Sequence, residues 1–235
     1  MGSVAIAPTL PQGGTTRMMP LRLKKLDSEP YNILCLGAHC DDIEIGCGGT
    51  ILKLIESYKK VNLWWVVFSS TEQRVKEAQC SAELFLKEVA NKTILIKDFR
   101  DGFLPFHGIE VKECFEQLKQ AFSPDLILTH CRHDLHQDHR LISELTWNTF
   151  RNHLILEYEI PKYDGDLGNP NFFSHLDESI CRRKIQYLFE AFESQREKHW
   201  FTDDTFRSLL RLRGLESNAP SKYAEAFYCR KGVFL

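Results

Sequence analysis

Leu34-Cys35-Leu36-Gly37-Ala38-His39-Cys40-Asp41-Asp42-Ile43-Glu44-Ile45-Gly46-Cys47-Gly48-Gly49-Thr50 decides how this chain is read. The apolar run from Asn32 to Gly37 has the length of a short buried strand. It stops at a histidine and two adjacent carboxylates. A glycine cluster follows, and Ile51, Leu52 and Ile55 then open a helical pattern. The order is strand, polar loop, helix, with ionisable groups at the C-terminal edge of the strand. In open α/β sheets, ligands bind at that edge.

The same alternation runs outward along the chain. Helical spacing covers 48–60, and a nearly continuous apolar run, as in a strand covered on both faces, covers 61–69. A helix is expected over 72–90, a strand over 93–97, a loop over 99–108 and a helix over 109–122 that Ser123-Pro124 breaks. A strand over 125–129 leads into a polar loop, 130–138, and a helix over 138–151. Beyond it come a strand over 154–160, an irregular segment over 163–173, a long charged helix over 176–200, a helix over 205–213 and a final strand region from 223. Alternating strands and helices of these lengths predict an α/β three-layer sandwich, with a mostly parallel central sheet flanked by helices. Residues 1–29, rich in Gly, Pro and Thr at their start, read as a flexible arm, and 30–235 as a single domain.

Composition narrows the function. The 235 residues carry a net charge of −2, which gives no electrostatic case for nucleic acid or an anionic membrane. No apolar run approaches the roughly 20 residues of a membrane span, and the N-terminus lacks the basic start and apolar core of a secretory signal. The eight cysteines are scattered without a C-x-x-C pair, as reduced thiols in a cytoplasmic protein would be.

A second ionisable cluster follows the strand expected over 125–129: His130-Cys-Arg-His133-Asp134-Leu-His136-Gln-Asp138-His139. A lone histidine after a strand is ordinarily a surface group, and Asp41, Asp42 or Asp138 alone would serve to favour a helix N-terminus. Two His/Asp clusters at the same edge of a parallel sheet are a different matter, because both loops can converge. Neutral imidazole with carboxylate suits a zinc-like divalent cation.

Residues 38–50 closely resemble the A-H-P-D-D-x-E-x-G-C-G-G-T signature of the PIG-L/LmbE-like N-deacetylases, and His136-Gln137-Asp138-His139 resembles that family's H-x-D-H motif. The segment from Arg213 to Phe227 is similar to the family's C-terminal part. The departure is Cys40, where the family usually has proline; as a free thiol it is also a candidate extra ligand. The resemblance implies a Rossmann-like fold and a metal-dependent hydrolase that removes an acetyl group from an N-acetylglucosamine-type amino sugar. It implies His39, Asp42 and His139 as ligands of one Zn2+ per chain, with Fe2+ or Co2+ suiting similar donors. It implies Asp41 as general base, His136 as the group that stabilises the oxyanion or protonates the leaving amine, and Asp138 as the residue that orients His136.

The other candidates come from position. Arg74, after the strand over 61–69, and Asp101, after the strand over 93–97, stand on the same edge and are expected at the substrate. Glu44 is expected to hydrogen-bond a ligand or a loop amide from behind. Gly46 to Gly49 lack the lysine and Ser/Thr of a phosphate loop and read as allowing close backbone approach at the metal loop. Trp147 and Trp200 read as helix-face core, and 163–173 as a binding rim. The expected partner is a small amino-sugar substrate: a glycoside, nucleotide sugar or glycolipid precursor. Homo-oligomerisation is left open. The alternatives are a metal-dependent hydrolase of another amide or a phosphoester, and a non-catalytic metal- or sugar-binding protein.

Overall fold

The computed structural model describes Leu21 and residues 29–233. The arm expected over 1–29 lies outside these residues, Leu21 and Glu29 excepted. The strands are β1 (Tyr31–Gly37), β2 (Val61–Ser69), β3 (Asn91–Phe99), β4 (Leu126–His130), β5 (Leu154–Tyr158), β6 (Phe172–Leu176) and β7 (Tyr223–Cys229). The helices are α1 (Asp42–Ser57), α2 (Glu72–Phe85), α3 (Gly108–Ala121), α4 (Gln137–Thr149), α5 (Glu178–Ala191) and α6 (Asp203–Glu216), with single 3-10 turns at Leu104–His107 and Glu193–Gln195.

The strands form one seven-stranded sheet in the order β3-β2-β1-β4-β5-β7-β6. β1, β2, β3, β4 and β5 run parallel, whereas β7 pairs antiparallel with both β5 and β6. From β1 the chain first builds outward through β2 and β3, then returns to place β4 on the other side of β1. The reversal leaves a crevice outside the carboxyl ends of β1 and β4, the usual place for a ligand in such sheets.

Successive strand residues face opposite sides, so β1 feeds two cores. Ile33 and Cys35 join Trp65, Phe85 and Leu188 under α1, α2 and α5. Leu34 and Leu36 join Phe68, Phe115 and Ile142 under α3 and α4.

α1 begins at Asp42, not at Gly48, and the glycine cluster lies inside it. The reason is packing. A Cβ on Gly46 would stand 2.2 Å from the Tyr158 ring, and one on Gly48 2.7 Å from Phe85. The glycines therefore seat the helix on β5 and α2 and do not line a metal loop. A buried pair braces the same helix: Lys184 Nζ donates to Ile45 O at 2.7 Å and to Glu225 Oε1 at 2.6 Å, while Glu225 accepts from Gly49 N at 2.8 Å and Thr50 N at 2.6 Å. The helix expected over 176–200 is α5 alone. It ends at Ala191, and the chain then turns through Glu193–Gln195.

Candidate metal centre and cleft

β1 delivers His39 to the crevice, and α1 starts three residues later with Asp42, whose Oδ2 accepts from His39 N at 2.6 Å. β4 ends at His130, and α4 carries His139 in its first turn. The two loops converge. His39 Nδ1 lies 3.0 Å from His139 Nε2 and 3.3 Å from Asp42 Oδ2, and His139 Nε2 lies 3.5 Å from Asp42 Oδ1. Donors held about 2.0–2.2 Å from one tetrahedral zinc stand about 3.4 Å apart, so His39 Nδ1 and His139 Nε2, each facing a different oxygen of the Asp42 carboxylate, are spaced as donors to a common cation would be.

The surroundings set the tautomers. His39 turns its Nε2 to Asp101 Oδ1 at 3.0 Å and Asp138 Oδ2 at 3.3 Å, and His139 turns its Nδ1 to Asp134 Oδ2 at 2.9 Å. When neutral, each ring can thus give its N–H to a carboxylate and turn its lone pair to the shared point. Burial opposes positive charge on His39 and His139, yet Asp42 and the other carboxylates outweigh it and raise both pKa values. Burial likewise opposes charge on Asp42, and His139, His130 and His39 hold its carboxyl well below the usual range. A site with these preferences suits a cation.

Asp134 belongs to this group of contacts, although the sequence pattern assigned it no role. Its signal was there: a histidine ligand commonly gives its second nitrogen to a carboxylate, and Asp134 stands in the same cluster. It also accepts from His136 N at 2.8 Å and from Lys162 Nζ at 2.8 Å.

His136 caps α4 and its Nδ1 accepts from Asp138 N at 3.3 Å. Its ring meets the His39 ring edge-on at 4.8 Å between centroids. Burial, with His139 and His39 next, lowers its pKa. The proton of the neutral ring then sits on Nε2, the donor left free for the cleft.

Three expectations need correction. Asp138 does not orient His136 with its side chain; its carboxylate accepts from Gly102 N at 2.8 Å and Leu104 N at 3.2 Å and faces His39. As the residue two beyond a capping position, it projects toward the turn after β3. Glu44 is fully buried, and neither of its oxygens has a hydrogen-bond partner among the described residues, so it reaches no ligand or loop amide. Burial pushes its pKa up to about 8. Cys40 is turned from the centre and donates to Ser69 O at 3.5 Å; burial pushes its thiol up to about 12.

Asp101 is largely exposed and pairs with His39, while Arg74 Nη2 lies 3.0 Å from Asp41 Oδ2. His130 Nε2 accepts from Ala38 N at 2.9 Å, which spends its lone pair on the loop, although the nitrogen also lies 3.1 Å from Asp42 Oδ2. His133 is exposed. Trp147 is half-buried and packs against the core, its Nε1 donating to Glu157 Oε1 at 2.6 Å.

A cleft of about 430 Å³, within the size range of small-molecule sites, opens at the centre. His39, Asp41, Asp42, His136 and His139 form its floor, with Arg74 and Asp101 beside them. Ile160 to Tyr163 and the segment Gln195, Lys198 and Trp200 form the far wall. Trp200 therefore serves the cleft as well as the core. Tyr163 Oη lies 3.1 Å from His199 Nδ1 and ties the two wall segments together.

Fold and site together define an α/β protein with a His/Asp centre, suited to a metal cation, at the switch point of its sheet. Residues 34–150 match the PIG-L family model, described as GlcNAc-PI de-N-acetylase, and the chain belongs to that family. The structure is similar to N,N'-diacetylchitobiose deacetylase from Pyrococcus horikoshii, at 22% identity and TM-score 0.65 over 84% of this chain and 82% of that one. It is similar to a zinc-inhibited form of teicoplanin deacetylase Orf2, at 14% identity and TM-score 0.64 over 84% and 97%. It is also similar to GalB, the 4-carboxy-2-hydroxymuconate hydratase of Pseudomonas putida KT2440, at 15% identity and TM-score 0.66 over 87% and 98%. At these identities the likeness is one of fold, and a hydratase in the group means that the fold carries more than one reaction. No helix among the described residues is long and apolar enough to cross a membrane.

Proposed function

We propose that this protein is a metal-dependent N-deacetylase that hydrolyses the acetamide of an N-acetylglucosamine-type amino sugar to acetate and the free amine. The observation that carries the reading is the meeting of His39 Nδ1, His139 Nε2 and the Asp42 carboxylate on the floor of a cleft, with Asp41 and His136 beside them. His39, Asp42 and His139 would hold one divalent cation, zinc or an ion of similar preference. When bound, such a cation acidifies a water molecule to a pKa of about 7 and polarises the acetyl oxygen.

The remaining steps fall to the chain. Asp41 takes the proton of the attacking water, a contribution typically of about 10²–10⁴-fold. His136, with its Nε2–H toward the cleft, donates to the oxyanion of the tetrahedral intermediate. The proton that Asp41 has taken from the water then passes to the departing nitrogen as the C–N bond breaks, which leaves acetate and the free amine. Asp134 and Asp138 keep His139 and His39 in their ligating tautomers. Asp101 stands at the open side of His39, where a sugar hydroxyl would arrive.

The test is metal analysis of the purified protein coupled to acetate release from a panel of N-acetylglucosaminides. One ion per chain with acetate produced is the expected result. A full metal complement with no acetate from any of them overturns the substrate class.

A further inference from the structure

Arg74 was expected to meet substrate, but its guanidinium is already engaged. Nη2 lies 3.0 Å from Asp41 Oδ2, and Nη1 donates to Glu77 Oε2 at 2.9 Å and to Ser194 Oγ at 3.3 Å. Arg74 and Glu77 are three residues apart on α2 and so share a face. Glu77 is buried and receives two further hydrogen bonds, from Ser194 N at 2.8 Å and Ser194 Oγ at 2.7 Å. Gln195 Nε2 in turn donates to Ser194 Oγ at 2.8 Å. The Phe192 ring lies 5.2 Å from the guanidinium carbon. One arginine is thus shared between two carboxylates, which leaves it little to offer an anionic substrate.

The Asp41 side chain makes no capping hydrogen bond to α1, and among the described residues Arg74 is its ion-pair partner. A general base must be held in place, since a misplacement of about 1 Å can cost about 10²-fold in rate. We propose that Glu77 is the positioning residue for Asp41, acting through Arg74, and that Ser194 locks this clamp to the cleft wall. The inference rests on the reading of Asp41 as the base. It makes the Glu193–Gln195 turn part of the machinery: the wall that carries Gln195, Lys198 and Trp200 is fastened to the carboxylate that works on water. The burial of Glu77 works against its charge, but the Ser194 and Arg74 hydrogen bonds outweigh that and keep it ionised.

The experiment uses the metal-loaded full chain and the variants Glu77→Gln and Ser194→Ala. Glu77→Gln keeps the shape of the side chain and removes its charge. The expected result is kcat per bound metal lowered by about 10–10²-fold in Glu77→Gln, with KM and metal content close to wild type. Ser194→Ala should lower kcat less and raise KM, because it also frees the wall. Crystal structures supply a readout independent of turnover: in Glu77→Gln the Asp41 carboxylate should leave its place against Arg74. Wild-type kcat in Glu77→Gln, or an Asp41 carboxylate still held by Arg74 in that variant, overturns the inference. If wild-type protein releases no acetate, the functional reading fails, and the position of Asp41 in the two structures still decides whether Glu77 sets it.

Discussion

His39 Nδ1 lies 3.0 Å from His139 Nε2, although the two residues are 100 positions apart in the chain. Neither ring could hold this pose on its own. Each is fixed from behind by carboxylates, Asp101 and Asp138 for His39 and Asp134 for His139. The centre is therefore a set of donors and a set of holders, and the two can be separated by experiment.

Asp134→Ala should weaken metal binding by about 10–100-fold, because His139 loses the acceptor that fixes its tautomer. Competition against a chelating dye measures this. His39→Ala should cost more, since it removes a donor. Equal affinity in wild type and Asp134→Ala would count against His139 as a ligand.

Asp41→Asn should keep its metal and lose about 10²–10⁴-fold in kcat. Acetate release with parallel metal analysis separates the two effects. Full turnover in the metal-loaded variant would remove Asp41 from the mechanism.

Lys184→Met should destabilise the protein by about 3–5 kcal/mol, read from urea unfolding. It leaves the buried Glu225 carboxylate without its cation, while Gly49 N and Thr50 N still point at it. A loss below about 1 kcal/mol would mean that the pair contributes no more than an exposed one.

The Glu77 carboxyl has a folded pKa below its ordinary 4.5, despite burial, because Ser194 and Arg74 hydrogen-bond the charged form. Its stabilising contribution is therefore present above that ordinary value and is lost as pH falls through the lowered one. Glu77→Gln should melt below wild type at pH 7, and the gap should close as the pH is taken below 4.5. A gap of constant size across that range would argue against an ionic role.

Gly46→Ala should cost about 1–3 kcal/mol, since its Cβ would stand 2.2 Å from the Tyr158 ring. Tyr158 cannot retreat freely, because its hydroxyl donates to Leu36 O at 2.7 Å. Thermal melts should show a drop of about 2–4 °C for each kcal/mol in a chain of this size. An unshifted melt would show that α1 can slide on β5.

The parallel half of the fold was legible because hydrophobic period and turn chemistry agreed there: β1 and β2 run over the residues their apolar patterns marked. The antiparallel end was not. β6 is a half-buried strand at the edge of the sheet, its apolar signal is short, and Phe172 and Phe173 read as the tail of a loop. Gly46 to Gly49 misled for a different reason: their neighbours Tyr158, Phe85 and Leu176 lie far off in sequence, and only tertiary packing makes glycine the residue that fits inside a helix. In the site, the convergence of the loops that carry His39, Asp42 and His139 was legible from two motifs at two strand ends. Asp134 lay in view without an assigned role. The Glu77–Ser194 contact joins α2 to the turn after α5, and no local pattern announces a pairing of that span.

β7 is translated after every donor of the metal centre, yet it is inserted between β5 and β6. Until it arrives, β6 has no neighbour, β5 keeps an open edge, and Lys184 lacks its carboxylate. Glu225 on β7 also braces α1, the helix that begins at Asp42. A ribosome-bound chain stalled before Tyr223 would hold His39, Asp42 and His139 with the brace still missing. The candidate centre is encoded early and braced late, so the setting of its first helix waits on the last strand of the sheet.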